Sequence, residues 1–168
     1  VTIIQGDPGE GKTTMVLQII AKLTRGEPIL PVNSTKDKRT NIDSEGGTVD
    51  TENAENNALL QQLEAPVNVI YQTAEDGLGD TIKPRLLAAG ADCTKVMVID
   101  DSEQPLTMAD VRLEEAIIQT KARMVVLDPI QGFLGAEVDM HRANEIRPLM
   151  KRIAVLAEKY HCAIILIG

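Results

Sequence analysis

Aromatic residues are nearly missing from this sequence. It has no Trp, and its 2% aromatic content is Phe133, Tyr71 and Tyr160. That is too few for a platform on which the bases of a single strand stack. An excess of basic residues is missing too. Lys and Arg number 17 against 25 Asp and Glu, a net charge of −8, so no overall positive field draws the chain to nucleic acid or to an anionic membrane. Any nucleic-acid contact has to be local or to lie outside these residues. Cys93 and Cys162 stand far apart with no C-x-x-C spacing, which leaves neither a zinc cluster nor a disulfide framework and reads as two buried thiols of a cytoplasmic protein. No run approaches the roughly 18 apolar residues of a membrane span, and no secretory signal pattern is visible.

What the sequence does contain is enough apolar character for a substantial core: 43% of its 168 residues, consistent with one globular domain. Its most informative stretch lies near the start. Val1-Thr2-Ile3-Ile4 is an apolar run, and Thr14-Met15-Val16-Leu17-Gln18-Ile19-Ile20 has helical character. Between them Gly6, Asp7, Pro8, Gly9, Glu10, Gly11, Lys12 and Thr13 fit G-x-x-x-x-G-K-[ST] at every fixed position. Strand, glycine-rich turn and helix in that order suit a polyphosphate. Glycines let successive N–H groups turn inward as an anion nest, and the helix aims its positive end at the same place. Lys12 can reach the β- and γ-phosphates as a mobile charge, and Thr13 can offer a hydroxyl to Mg²⁺. The expectation is ATP with Mg²⁺, held by residues 6–14, with Thr14 the last of them.

Downstream, Val16, Ile19, Ile20 and Leu23 fall on one helical face, which Arg25-Gly26 ends. Ile29-Leu30-Pro31-Val32 reads as a strand end or a loop. Residues 33–51 carry seven charges among Ser, Thr, Asn and Gly46-Gly47 without periodicity, the pattern of a flexible polar insertion. A short helix is expected near 58–63. Strands are expected at Val67–Tyr71, Val96–Ile99, Met124–Asp128 and Ala163–Ile167. Between them come a helix with Ile82, Leu86 and Leu87 inward, one begun by a Thr107/Asp110 capping box, and one striped by Ile146, Leu149, Met150, Ile153, Leu156, Ala157 and Tyr160. Strands alternating with helices give an α/β fold with a mainly parallel sheet covered on both faces, and ligands in such sheets bind at the carboxyl ends of the strands.

A phosphate loop needs a carboxylate from a neighbouring strand for the Mg²⁺ shell. Asp100 and Asp128 each close an apolar run; Pro129 favours Asp128, and the other acid is then a turn former. Hydrolysis also needs a group to activate water. The position after Asp128 is Pro129, which cannot serve. Glu75, closing the preceding strand segment, is the best substitute, although beside Asp76 it reads equally as a solvated turn residue.

Four stretches carry a resemblance: GDPGEGKT at 6–13, YQTAEDGL at 71–78, MVVLDPIQGFL at 124–134 and HCAIILIG at 161–168. Together they resemble the RecA-like ATPases, and within them the branch of the RepA-type replicative helicases of plasmids and phages, over almost the whole chain. The resemblance implies a RecA-like core, Glu75 as the base and Asp128 as the Mg²⁺-shell aspartate. It also implies a hexamer-type homo-oligomeric ring moving on single-stranded DNA. The family's polar sensor residue, arginine finger and DNA-contacting loops would follow Gly168. The chain begins and stops flush with apolar strands, which suggests that 1–168 is one RecA-like ATPase domain within a longer polypeptide.

Other readings compete. A small-molecule kinase would use the insertion as a lid, and a nucleotide-gated regulatory module would turn over little. A GTPase is disfavoured, since Gln131 replaces the glycine of a D-x-x-G begun at Asp128 and no N-K-x-D occurs. Asp139, His141 and Glu145 read as a capped helix start rather than a metal cluster. His161 has no partner for a triad. Arg142, Arg147, Lys151 and Arg152 read as a solvated helix face.

Overall fold

The structure, a computed structural model, describes residues 1–29, 65–74, 78–136, 138 and 142–168. The 33–51 insertion, the helix near 58–63, Leu30 to Val32, Glu75, Asp139 and His141 lie outside the described residues.

Five parallel strands form one sheet: β1 (Thr2–Ile4), β2 (Val69–Thr73), β3 (Val96–Met97), β4 (Met124–Asp128) and β5 (Ala163–Ile167). Their spatial order is β1-β5-β4-β2-β3. The strand that leads into the glycine loop is thus separated from the strand ending in Asp128 by β5 alone. Among the described residues four α-helices accompany them: α1 (Lys12–Arg25), α2 (Lys83–Ala88), α3 (Val111–Thr120) and α4 (Ala143–Lys159). A π-helical turn at Leu78–Ile82 leads into α2.

The strands are apolar at nearly every position because both faces are covered, and alternate side chains serve opposite faces. Val69, Tyr71, Met124 and Val126 face Val16, Leu17 and Ile20 of α1 and Leu86 of α2. Ile70, Val125, Leu127, Ile164 and Leu166 face Leu113 and Ile117 of α3 and Ile153 and Leu156 of α4. Each such aliphatic side chain, taken fully out of water, contributes about 1.5–3 kcal/mol, so the sheet's two faces carry most of the stabilisation. Cys162 is buried in the second layer, and burial pushes its thiol up to about 11. Cys93, also expected to be buried, is half-exposed.

Several local expectations change. The second strand runs Val69–Thr73, two residues later than its apolar run suggests. The third strand ends at Met97 instead of Ile99. Leu87 is 58% exposed, whereas Ile82 and Leu86 are buried; consecutive helical residues point about 100° apart, so Leu87 turns away from the face that Leu86 buries. Asp110, not Thr107, caps α3: its side chain accepts from the Arg112 N–H. The stripe on α4 packs as expected, Ile153 and Leu156 fully and the others partly. α1 ends at Gly26, whose φ of 74° is the left-handed geometry that glycine adopts without strain.

Candidate functional site

The loop between β1 and α1 turns twice through left-handed backbone, with φ of 86° at Gly9 and 82° at Gly11. Residues with a side chain are strained there, which explains glycine at both places. Met15 is the first residue of α1 whose N–H closes onto a carbonyl behind it, that of Gly11, at 2.9 Å. The amides of residues 11–14 therefore precede the helical ladder, the place where a helix receives an anion. No acid sits in the first turn of α1, while Lys22 and Arg25 occupy the last. Both ends keep the helix's positive pole directed at the loop.

A cleft of about 540 Å³ opens here, lined by residues 8–14, Arg85, Asp128, Pro129, Gln131, Ile167 and Gly168. It lies at the carboxyl ends of β1, β4 and β5. Lys12 bends back, Nζ donating to the Gly6 carbonyl at 2.6 Å and to the Asp7 carbonyl at 2.9 Å. Gly6 and Asp7 are not among the residues that line the cleft. The Asp7 N–H donates to Glu10 Oε2 at 2.9 Å, so the loop's own carboxylate braces its entry.

Across the cleft, Thr13 Oγ1 donates to Asp128 Oδ2 at 2.8 Å, joining residues 115 apart in sequence. A hydroxyl beside a carboxylate, both hard oxygen donors next to an anion nest, is a donor set that fits Mg²⁺ completed by phosphate oxygens and water. Asp100 is elsewhere: it accepts from the Ser102 N–H at 3.1 Å and the Ser102 hydroxyl at 2.7 Å, a local turn. Those hydroxyl and amide bonds hold its carboxyl below the usual range. Glu75 lies outside the described residues. Its neighbour Ala74 donates its N–H to the Asp128 carbonyl at 3.1 Å, extending the β2–β4 pairing to the end of both strands. Gly132, just past Asp128, lies so near Ala74 that a Cβ on it would overlap the Ala74 methyl. Among the described residues no group of His, Cys, Asp and Glu is arranged to hold a metal ion by itself.

Two neighbours were not anticipated from the sequence. Tyr71 donates its hydroxyl to the same Asp128 Oδ2, at 2.7 Å. Arg85, from α2, lines the cleft and donates to Thr14 Oγ1 at 3.1 Å. A tyrosine within an otherwise aliphatic run was the one available signal for the first, since a buried phenol needs a partner. For Arg85 there is no such signal, because its approach depends on how α2 packs against α1. Among the described residues no helix is long and apolar enough to cross a membrane.

No curated protein matches this sequence. Among solved structures, a KaiC-like protein from the hyperthermophilic archaeon Pyrococcus horikoshii OT3 is similar over 99% of this chain, with a TM-score of 0.54 and 16% identity. The chain spans 61% of that protein's length. At that identity the likeness concerns the fold, a RecA-like parallel sheet between helices. Residues 56–168 match the family described as AAA domain, a segment that starts after the glycine loop and takes in β2 to β5. On that match, which covers more than half of its residues, the chain belongs to the AAA domain family of ATPases.

Proposed function

We propose that this domain hydrolyses ATP in a Mg²⁺-dependent reaction and acts as the motor of a ring-forming, replicative-helicase-type protein on single-stranded DNA. The observation that carries the hydrolytic part is the Thr13–Asp128 bond of 2.8 Å, made in the same cleft as Lys12 and the loop amides. In this reading the amides of residues 9–14 receive the β- and γ-phosphate oxygens, and Lys12 turns from the Gly6 and Asp7 carbonyls to neutralise them. Thr13 and Asp128 would hold Mg²⁺, which would supply Lewis-acid stabilisation of charge on the phosphate oxygens. Glu75 accepts the proton of the attacking water. Oxygen bonds to the γ-phosphorus, the bond to the bridging oxygen breaks, and ADP and phosphate leave. The helicase role rests on the four motifs that resemble the RepA branch, and their ring and DNA contacts fall to segments outside this sequence.

The test is ATP turnover by the full-length protein with and without single-stranded DNA, its native mass measured alongside. Mg²⁺-dependent turnover that DNA accelerates, in a ring-sized assembly, is expected. Glu75→Gln should still bind ATP but lose most turnover. Slow hydrolysis indifferent to DNA would replace the motor with a nucleotide-gated module, and a phosphorylated small-molecule acceptor would replace it with a kinase.

A further inference from the structure

We infer that Tyr71 is a positioning residue for Asp128, its buried hydroxyl fixing the carboxylate orientation in which Asp128 meets a Mg²⁺-nucleotide complex. The inference rests on the Mg²⁺-ATP reading above.

Tyr71 and Asp128 lie on adjacent strands and on the same face of the sheet. Tyr71 is opposite Val126, and Asp128 is opposite Thr73, so the two residues are diagonal neighbours. A side chain as long as tyrosine reaches across such a diagonal. Tyr71 has no exposed surface; its ring packs in the layer that includes Val16, Leu17 and Ile82. Any apolar residue of similar volume would fill that space. A hydroxyl there is unfavourable unless it finds an acceptor, and the acceptor it finds is the carboxylate of the cleft, at 2.7 Å.

The geometry at Asp128 is what gives this bond a role beyond satisfying the phenol. Rotation of a carboxylate about its last torsion is soft and nearly two-fold. Thr13 from α1 and Tyr71 from β2 donate to one and the same oxygen, Oδ2. Two donors converging on one oxygen fix the torsion, and with it the direction of Oδ1. Thr13 cannot do this alone. Its hydroxyl has one proton and two lone pairs, and in the reading above its oxygen also serves Mg²⁺, so its position follows the cation. Tyr71 is held by the core on all sides and supplies the invariant half of the clamp. The bond joins a neutral donor to a charged acceptor, partly shielded from water, which makes it one of the stronger kinds.

Tyr71→Phe keeps the ring and removes the clamp. The probe is a fluorescent ADP analogue, titrated at equilibrium into the full-length protein in EDTA and again across a Mg²⁺ series. Melting temperature in EDTA reports on folding. The wild-type protein should bind more tightly as Mg²⁺ is added. In Tyr71→Phe the affinity in EDTA should stay within about twofold, while half-saturation by Mg²⁺ should need about tenfold more cation, the usual scale for losing a group that orients a metal ligand. An unchanged Mg²⁺ requirement in a folded variant overturns the inference, as does an equal loss of affinity with and without Mg²⁺, which would make the hydroxyl structural only. If Mg²⁺ does nothing for the wild-type protein, the underlying reading fails first and the inference falls with it.

Discussion

Gln72 and Ile99 are joined in both directions by a side chain standing in for a strand. The Ile99 N–H donates to Gln72 Oε1 at 3.0 Å, and Gln72 Nε2 donates to the Ile99 carbonyl at 3.1 Å. Gln72 is wholly buried, and its Nε2 also reaches Asp101 Oδ2 at 2.9 Å. Backbone pairing between β2 and β3 covers only Val69–Val96 and Ile70–Met97. The glutamine amide carries the connection on past the point where the strands diverge.

Replacing Gln72 with Leu keeps the volume and strands two buried backbone groups of Ile99. Stability should fall by about 2–4 kcal/mol, the cost of leaving a buried donor and acceptor unmade. Urea denaturation would measure it, and a midpoint equal to wild type would show that the amide is dispensable.

This same pair marks how far the sequence could be read. The apolar run Val96–Ile99 signals a strand, but periodicity cannot distinguish a backbone that pairs from one that a side chain tethers. The apolar runs of β2, β4 and β5 were legible because both sheet faces demand apolar residues, and the turn at Gly26 because glycine takes positive φ at little cost. The glycine loop and the acid at the end of β4 were legible as motifs. Their distance was not, since Thr13 and Asp128 are brought together by β5 lying between β1 and β4. The cap of α3 was misread because Thr107 and Asp110 both suit a helix start, and only the Arg112 N–H on Asp110 decides between them. Tyr71 and Arg85 act on partners 57 and 71 residues away, beyond any local pattern.

Arg85 adds a second cation to the cleft that Lys12 enters. Its guanidinium, held near Thr14, is within reach of an anion seated on the loop. Arg85→Ala should weaken binding of the fluorescent ADP analogue about tenfold at low salt, as expected for losing a charge-assisted contact, and by less at high salt. Arg85→Lys should recover part of the loss. Equal affinities for all three proteins would remove Arg85 from the site.

Away from the cleft, Glu114 on α3 accepts from the Tyr160 hydroxyl at 2.6 Å and from Lys159 Nζ at 2.9 Å, fastening α4 to α3. The Tyr160 bond first, and then Lys159, hold its carboxyl below the ordinary 4.5. A carboxyl lowered in the folded state stabilises fully above its unfolded value and loses that contribution as pH falls through the folded one. Stability should therefore decline on acidification below about pH 4.5. Glu114→Gln should lower the melting temperature at neutral pH and make the decline on acidification shallower. Identical acid limbs for the two proteins would contradict the assignment.

The most direct test of the account is an equilibrium titration of ATP, with Mg²⁺, into the wild-type protein and into Lys12→Ala. Lys12 sits on the loop that is held to grip the phosphates, and a hydrogen bond to a charged group is worth about 1.5–3 kcal/mol. Saturable binding by the wild type, weakened about ten- to a hundredfold in the variant, is the expected result. No saturable binding by the wild type, or equal binding by both proteins, would contradict the claim that this loop holds a nucleotide.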